Sequence, residues 1–218
     1  DALPISDHRR ELAIPQVLLL TATATPAVMA DMQAKFAIDR DDLVVTGFYR
    51  PNLDLAVLPL AGTARDTWLR EELHRDPAAP TIVYVTLQHS AEQCAAQLQA
   101  SGIRACAYHA GLDPALRSQI QRDFMAGRLD CIVATIAFGM GIDKADIRRV
   151  IHYDLPKSIE NYSQEIGRAG RDGLPSRCTV LASRAQLPVL ENFVYGDTPD
   201  RDAIAHLLDI VRQSGAEW

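Results

Sequence analysis

The sequence predicts an α/β domain built on a mostly parallel sheet. Two observations carry that expectation. Short apolar runs recur without strict alternation, as strands covered on both faces require. Helical patterns fill most of the gaps between them, and a strand–helix–strand repeat implies right-handed crossovers and parallel strands. Ligands of such sheets bind beyond the carboxyl ends of the strands, so the residues that follow each run are the first candidates for chemistry.

The runs are Gln16–Thr21, Leu55–Leu60, Thr81–Val85, Ala105–His109, Cys131–Thr135, Val150–Asp154 and Cys178–Ala182. A helix is expected at Ala27–Phe36, followed by a short strand at Leu43–Val45. Ala91, Cys94, Ala95 and Leu98 form the inward stripe of another helix. A further helix starts at Asp113-Pro114, carries Leu116, Ile120 and Phe124 at four-residue spacing, and stops at Gly127. The stretch Gly47–Asp54 reads as a boundary. Residues 1–46 are expected to be the end of one domain, residues 47–184 a complete α/β domain with six strands, and residues 185–218 a helical tail with helices at 185–194 and 200–213.

With 48% hydrophobic and 23% charged residues, the 218-residue chain can bury a sizeable core. No apolar run approaches a bilayer span, and nothing at the start reads as a secretion signal. The chain does not begin with Met, so an upstream portion is expected. Cys94, Cys106, Cys131 and Cys178 are widely spaced and form no C-x-x-C pair, which points to reduced thiols, no zinc site and a cytoplasmic protein, nucleoid-associated if bacterial. The net charge of −6 argues weakly against nucleic-acid binding, yet Asp146–Arg184 is net basic and the tail is net acidic.

Four stretches carry candidate chemistry. "LLLTATAT" ends an apolar run in Thr21, Thr23 and Thr25, which by themselves read as ordinary strand-end residues. In "YHAGL", His109 and the amides around Gly111 suit a phosphate, and a tight strand-to-helix turn explains them equally well. "VATIAFGMGID" is more specific. Thr135 can donate to a phosphate, Gly139 and Gly141 let backbone lie against a polymer, and Asp143 can accept a ribose hydroxyl. "QEIGRAGRDG" sets Gln164, Arg168 and Arg171 on about the same side near the end of a helix capped by Ser158. Arginine is the side chain suited to a two-pronged grip on phosphate.

In this order along one α/β domain, the stretches resemble the second half of a superfamily 2 helicase core, most closely that of RecQ-like DNA helicases. "TATAT" looks like motif III, "TIVYVTLQHSAE" motif IV, "VATIAFGMGID" motif V and "QEIGRAGRDG" motif VI. "FYRPNLD" is similar to the family's connector into its second RecA-like domain. The implied fold is a parallel-sheet RecA-like helicase C-terminal domain, preceded by the end of a first RecA-like domain. The resemblance implies an ATP-dependent 3′–5′ DNA helicase. Arg171 would be the arginine finger, supported by Arg168 and Gln164, with Asp143 and Gly141 at the nucleotide. His109, Gly111, Thr135 and Gly139 would line the single-stranded DNA track while duplex is unwound, with Thr21 and Thr23 in coupling. Neither a G-K-[ST] loop nor D-E-x-H occurs in the 218 residues. Mg²⁺ would therefore be held mainly by the first RecA-like domain, this chain's expected partner, and the chain alone is expected to be inactive. A non-catalytic DNA-binding or regulatory module and an RNA helicase are the alternatives.

Overall fold

A computed structural model of the protein describes Asp7, Arg9, Phe138 and residues 11–21, 25–45, 49–135 and 143–195. The chain divides into two compact units, Asp1–Pro51 and Asn52–Trp218.

In the first unit, α1 (Pro26–Phe36) starts where the Thr25 hydroxyl accepts from the Val28 amide at 3.3 Å and Pro26 takes the first turn. It ends at Ala37, whose left-handed φ of 52° closes the last turn onto the Gln33 carbonyl. The strands expected at Gln16–Thr21 and Leu43–Val45 do not form: both segments run outside any sheet. Leu18 is 79% exposed, Leu20 82% and Val44 82%. A buried parallel strand takes its hydrogen bonds from neighbours and its burial from two covering layers. No strand among this unit's described residues offers either.

The second unit is a six-stranded sheet of β1 (Leu53–Pro59), β2 (Thr81–Tyr84), β3 (Ala105–Tyr108), β4 (Cys131–Ala134), β5 (Arg149–His152) and β6 (Ser176–Ala182). The order is β1-β6-β5-β2-β4-β3, and every pairing is parallel. The helices are α2 (Thr63–Arg75), α3 (Gln88–Ala100), α4 (Pro114–Met125), α5 (Ile159–Ile166) and α6 (Leu187–Tyr195). The expected tail helix begins as a 3₁₀ turn at Arg184–Gln186, closed by a Ser183–Gln186 capping box. The one expected at 200–213 lies outside the described residues.

Side chains alternate across the sheet and build two cores. On one face, Leu69 and Leu73 of α2 and Ala91, Cys94, Ala95 and Leu98 of α3 cover Val83, Val133, Ile151 and Leu181. On the other, Ile120 and Phe124 of α4 join Phe138, Ile147 and Ala169 over Ile82, Tyr84, Ile132, Val150 and Cys178. Phe138 packs edge-on against Tyr108 and Phe124, with ring centres 4.7 and 5.9 Å apart. Two expectations of burial fail. Leu116 is 46% exposed in the first turn of α4, and Leu55 and Val57 stay 55% and 66% exposed because β1 is an edge strand.

Arg149, at the start of β5, is 6% exposed. It donates to the Thr81 hydroxyl at 2.9 Å and to the Glu72 and Asp76 carbonyls at 2.6 Å each. The guanidinium thus satisfies carbonyls at the end of α2 that have no partner within the helix.

Candidate nucleotide and nucleic-acid site

β2, β4 and β5 lie side by side and end at Tyr84, Ala134 and His152. Beyond them opens a crevice of about 210 Å³, bordered by Tyr84, Thr135, His152, Asp154, Lys157 and Glu165. Its floor is polar and buried. Glu165, on α5, lies 2.7 Å from His152 Nε2 in a hydrogen bond, and the two side chains are 9% and 1% exposed. Tyr84 stacks on the His152 ring at 5.4 Å, and Tyr162 tilts against its other side at 5.1 Å. α5 is oriented for this contact by Ser158, whose hydroxyl caps it by accepting from the Asn161 amide at 3.1 Å.

The loop after β2 is clamped by the residue that ends the V-I-H-Y-D run. Asp154 accepts from the Thr86 amide at 2.8 Å, from Arg65 at 2.8 Å and from Gln186 at 3.2 Å. Arg65 lies 3.8 Å over the Tyr153 ring, and the Tyr153 hydroxyl donates to Asp66. One carboxylate thereby ties α2, the loop after β2 and the turn before α6 to the end of β5.

The glycine–arginine stretch departs from expectation. α5 ends at Ile166, so Gln164 lies on the helix, exposed, while Arg168 and Arg171 lie on the turn that follows. The three do not share one helical face. Gly170 has a φ of +54°, and a Cβ there would come within 2.5 Å of the Asn52 amide and 2.8 Å of the Leu174 carbonyl. Only glycine fits. The Gly170 and Asp172 amides donate to the Ile147 and Ala145 carbonyls at 2.9 and 3.2 Å, which fastens the turn to the segment leading into β5. Arg168 is half-buried, and its positive charge opposes the rise that burial gives the Tyr84 phenol. Arg171 reaches the surface, where it meets Asp143 at 3.0 Å, with the side chains 36% and 90% exposed. So exposed an ion pair contributes about 0–1 kcal/mol, and the Arg171 Nε also donates to the Gly167 carbonyl at 3.4 Å.

Thr135 is half-buried in the crevice wall. The His109 side chain is 4% exposed and lies 3.2 Å from a Glu92 carboxylate oxygen, out of line for a hydrogen bond. The exposed surface of that segment is Ala110 and Gly111. A Cβ at Gly111 would come within 2.5 Å of the Gln88 side chain. Thr21 is exposed in the first unit. Gly139, Gly141 and Thr23 lie outside the described residues. Among the described residues, no group of His, Cys, Asp or Glu side chains could hold a metal ion. All four cysteines are free thiols.

The structure thus joins Arg171 to Asp143, and Tyr84, Thr135, His152 and Glu165 around one crevice. Tyr84, His152, Asp154 and Glu165 were not singled out from the sequence. The available signal was H-Y-D, three polar-tipped residues closing an otherwise apolar strand.

Residues 64–173, about half of the chain, match the family described as the helicase conserved C-terminal domain. The RecQ-like DNA helicase blm-1 of Caenorhabditis elegans is 43% identical over 185 residues, covering 84% of this chain and 19% of that protein. The ATP-dependent DNA helicase RecQ of Bacillus subtilis is 41% identical over 175 residues, covering 80% of this chain and 29% of the relative. The chain therefore spans less than a third of either protein. In fold it is similar to Saccharomyces cerevisiae Dbp5 solved with RNA and ADP BeF3, with a TM-score of 0.64 at 20% identity over 88% of this chain and 52% of that one. With half its length matched to that family and its motifs in the RecQ form, the chain belongs to the helicase conserved C-terminal domain family, in its RecQ-like superfamily 2 branch.

Proposed function

We propose that the chain is the second motor domain of an ATP-dependent 3′–5′ DNA helicase of RecQ type. The observation that carries this reading is the pairing of Arg171 with Asp143 across 28 positions, on a turn that only glycine can make. A guanidinium so placed at the surface suits a two-pronged grip on phosphate. Arg171 is the arginine finger on the γ-phosphate, with Arg168 and Gln164 in support and Asp143 and Gly141 toward the ribose. Such a finger contributes about 10³- to 10⁵-fold in related NTPases. Thr135, Gly139 and Gly111 form this domain's share of the single-stranded DNA track, gripping backbone rather than base edges, with His109 buried behind Gly111. Thr21 and Thr23 belong to the coupling segment. Both curated relatives are named DNA helicases, which supports DNA over RNA. Mg²⁺ would neutralise the triphosphate and is assigned mainly to the first RecA-like domain. The chain on its own is expected to hydrolyse no ATP, and the protein to act in the cytoplasm, on the nucleoid if bacterial.

The test is steady-state ATP hydrolysis and strand displacement by the full-length protein with 3′-tailed and 5′-tailed DNA duplexes and with RNA. DNA-stimulated hydrolysis and unwinding from a 3′ tail are expected. Stimulation by RNA alone, or no stimulated hydrolysis, overturns the reading.

A further inference from the structure

Asn52 is the first residue of the second unit, just ahead of β1, and its side chain reaches the arginine-bearing turn 118 and 122 positions away. The side-chain nitrogen donates to the Gly170 carbonyl at 2.8 Å and to the Leu174 carbonyl at 2.9 Å. Two carbonyl oxygens can face only the NH₂ of a carboxamide, whose two hydrogens match them one for one. The Asn52 main-chain carbonyl accepts from the Ser176 amide at 2.9 Å, so the base of the side chain is fixed where the β1–β6 pairing starts. The Gly170 carbonyl belongs to the Gly170–Arg171 peptide group. That group is planar, so holding its oxygen holds the nitrogen and Cα of Arg171 with it. On the other side of Gly170, its amide donates to the Ile147 carbonyl at 2.9 Å. Both peptide planes around the glycine are thus held, and its φ of +54° with them. Glycine is otherwise the loosest residue a chain can place before a side chain that must be aimed.

We infer that Asn52 is a positioning residue for the arginine finger: its carboxamide fixes the Gly170–Arg171 peptide and so sets where the Arg171 guanidinium can reach. The inference rests on the function proposed above. Main-chain pairing already joins β1 to β6 over seven residues, so the carboxamide is not needed to hold the two strands together. Both of its bonds end on the turn ahead of β6. The far end of that turn has its own clamp, since Arg148 pairs with the Asp172 carboxylate and donates to the Pro175 carbonyl at 3.3 Å. The grip on the peptide leading into Arg171 is left to Asn52. Asn52 touches neither nucleotide nor DNA in this scheme and acts only through Arg171.

The experiment uses the full-length protein and measures ATP hydrolysis against ATP and single-stranded oligodeoxynucleotide concentration, with amide hydrogen exchange alongside. Asn52→Asp keeps the size of the side chain and sets an oxygen against two carbonyl oxygens. It should lower kcat at saturating DNA about 10²-fold, the loss that a misplacement of about an ångström brings to an aimed group. Asn52→Ala removes the donor without adding repulsion and should lose about tenfold. KM for ATP and the half-saturating DNA concentration should stay within about twofold in both. Exchange should quicken in peptides spanning residues 167–174 and stay unchanged in β2, β4 and β5. Because the effect runs through Arg171, Asn52→Asp combined with Arg171→Ala should be no slower than Arg171→Ala alone. Wild-type kcat in both Asn52 variants, multiplicative losses in the double variant, or exchange that quickens across the whole sheet each overturn the inference. If the unaltered protein shows no DNA-stimulated hydrolysis, or Arg171→Ala keeps all of it, the functional reading itself fails and this inference falls with it. An inactive Arg171→Ala beside a fully active Asn52→Asp sinks this inference alone.

Discussion

The two faces of the sheet are assembled on different principles. Under α2 and α3 the core is aliphatic, and its one buried guanidinium, Arg149, donates to main-chain carbonyls and a threonine hydroxyl. Under α4 and α5 the core adds the rings of Tyr84, Phe124 and Phe138 to its aliphatic residues, and a chain of polar groups runs through it from Phe138 to Tyr84, His152 and Glu165. Part of that face is covered by residues outside regular elements, Phe138, Ile147 ahead of β5, and Ala169 in the turn after α5. A helix satisfies its own backbone, whereas a loop at a core must find partners among side chains. The second face therefore carries the polar residues that can serve a ligand, while the first supplies a rigid wall.

The largest expected effect lies on the second face. Arg171→Ala in the full-length protein should reduce DNA-stimulated kcat about 10³-fold or more, with nucleotide and DNA affinities within severalfold and an unchanged melting temperature. Arg171→Lys should fail nearly as badly, since an ammonium lacks the two-pronged fork. Hydrolysis above a tenth of wild type in either variant breaks the contrast. On the first face, Leu73→Ala should cost about 3 kcal/mol in urea unfolding and leave kcat unchanged well below the melting temperature. A comparable fall in kcat there would show that the wall takes part in turnover. Thr135→Val should weaken single-stranded DNA binding by about 1–2 kcal/mol in fluorescence anisotropy while sparing DNA-independent hydrolysis. Equal loss of basal hydrolysis in Thr135→Val and Arg171→Ala would merge the two roles.

The smallest effect concerns protons. Burial pushes the Cys94 thiol up to about 12 and the Cys131 thiol well above its ordinary value. Folded values above unfolded ones mean the protonated thiols favour the fold. That contribution is complete below the unfolded thiol value near 9 and is lost as pH rises toward about 12. Melting temperature should therefore fall by a few degrees between about pH 8 and pH 10. Iodoacetamide at about pH 8 should label Cys106, which is half-buried, well before Cys94 or Cys131. Equal labelling of all three would contradict a closed first face.

Strands were legible where both faces are covered. From Thr81 to Ala182 each expected apolar run overlaps an observed strand, with β5 and β6 starting one and two residues earlier than expected, because burial on both faces leaves an apolar run in the sequence. The stripe Ala91, Cys94, Ala95 and Leu98 is buried as its spacing implies. Gln16–Thr21 has the same composition but no adjacent strand among the described residues, so pattern alone could not decide it. At the site, Arg171 and Asp143 were legible as residue types, and the structure brings them together across 28 positions. The Tyr84–His152–Glu165 stack was not legible. It exists because β2 and β5 are neighbours in register, with Tyr84 opposite His152, and pairing between distant strands leaves no local signature.

β5 sits inside the sheet, between β6 and β2, and three consecutive residues at its end grip different elements. His152 holds α5, Tyr153 reaches Asp66 of α2, and Asp154 holds the loop after β2. Because neighbouring side chains on a strand point to opposite sides, a slip of one residue would exchange these partners and undo both cores together. The site consequently has no cheap way to come apart on its own. Its geometry belongs to the same cooperative unit as the sheet, so partial unfolding that spares the sheet spares the stack, and loss of the stack means loss of the domain.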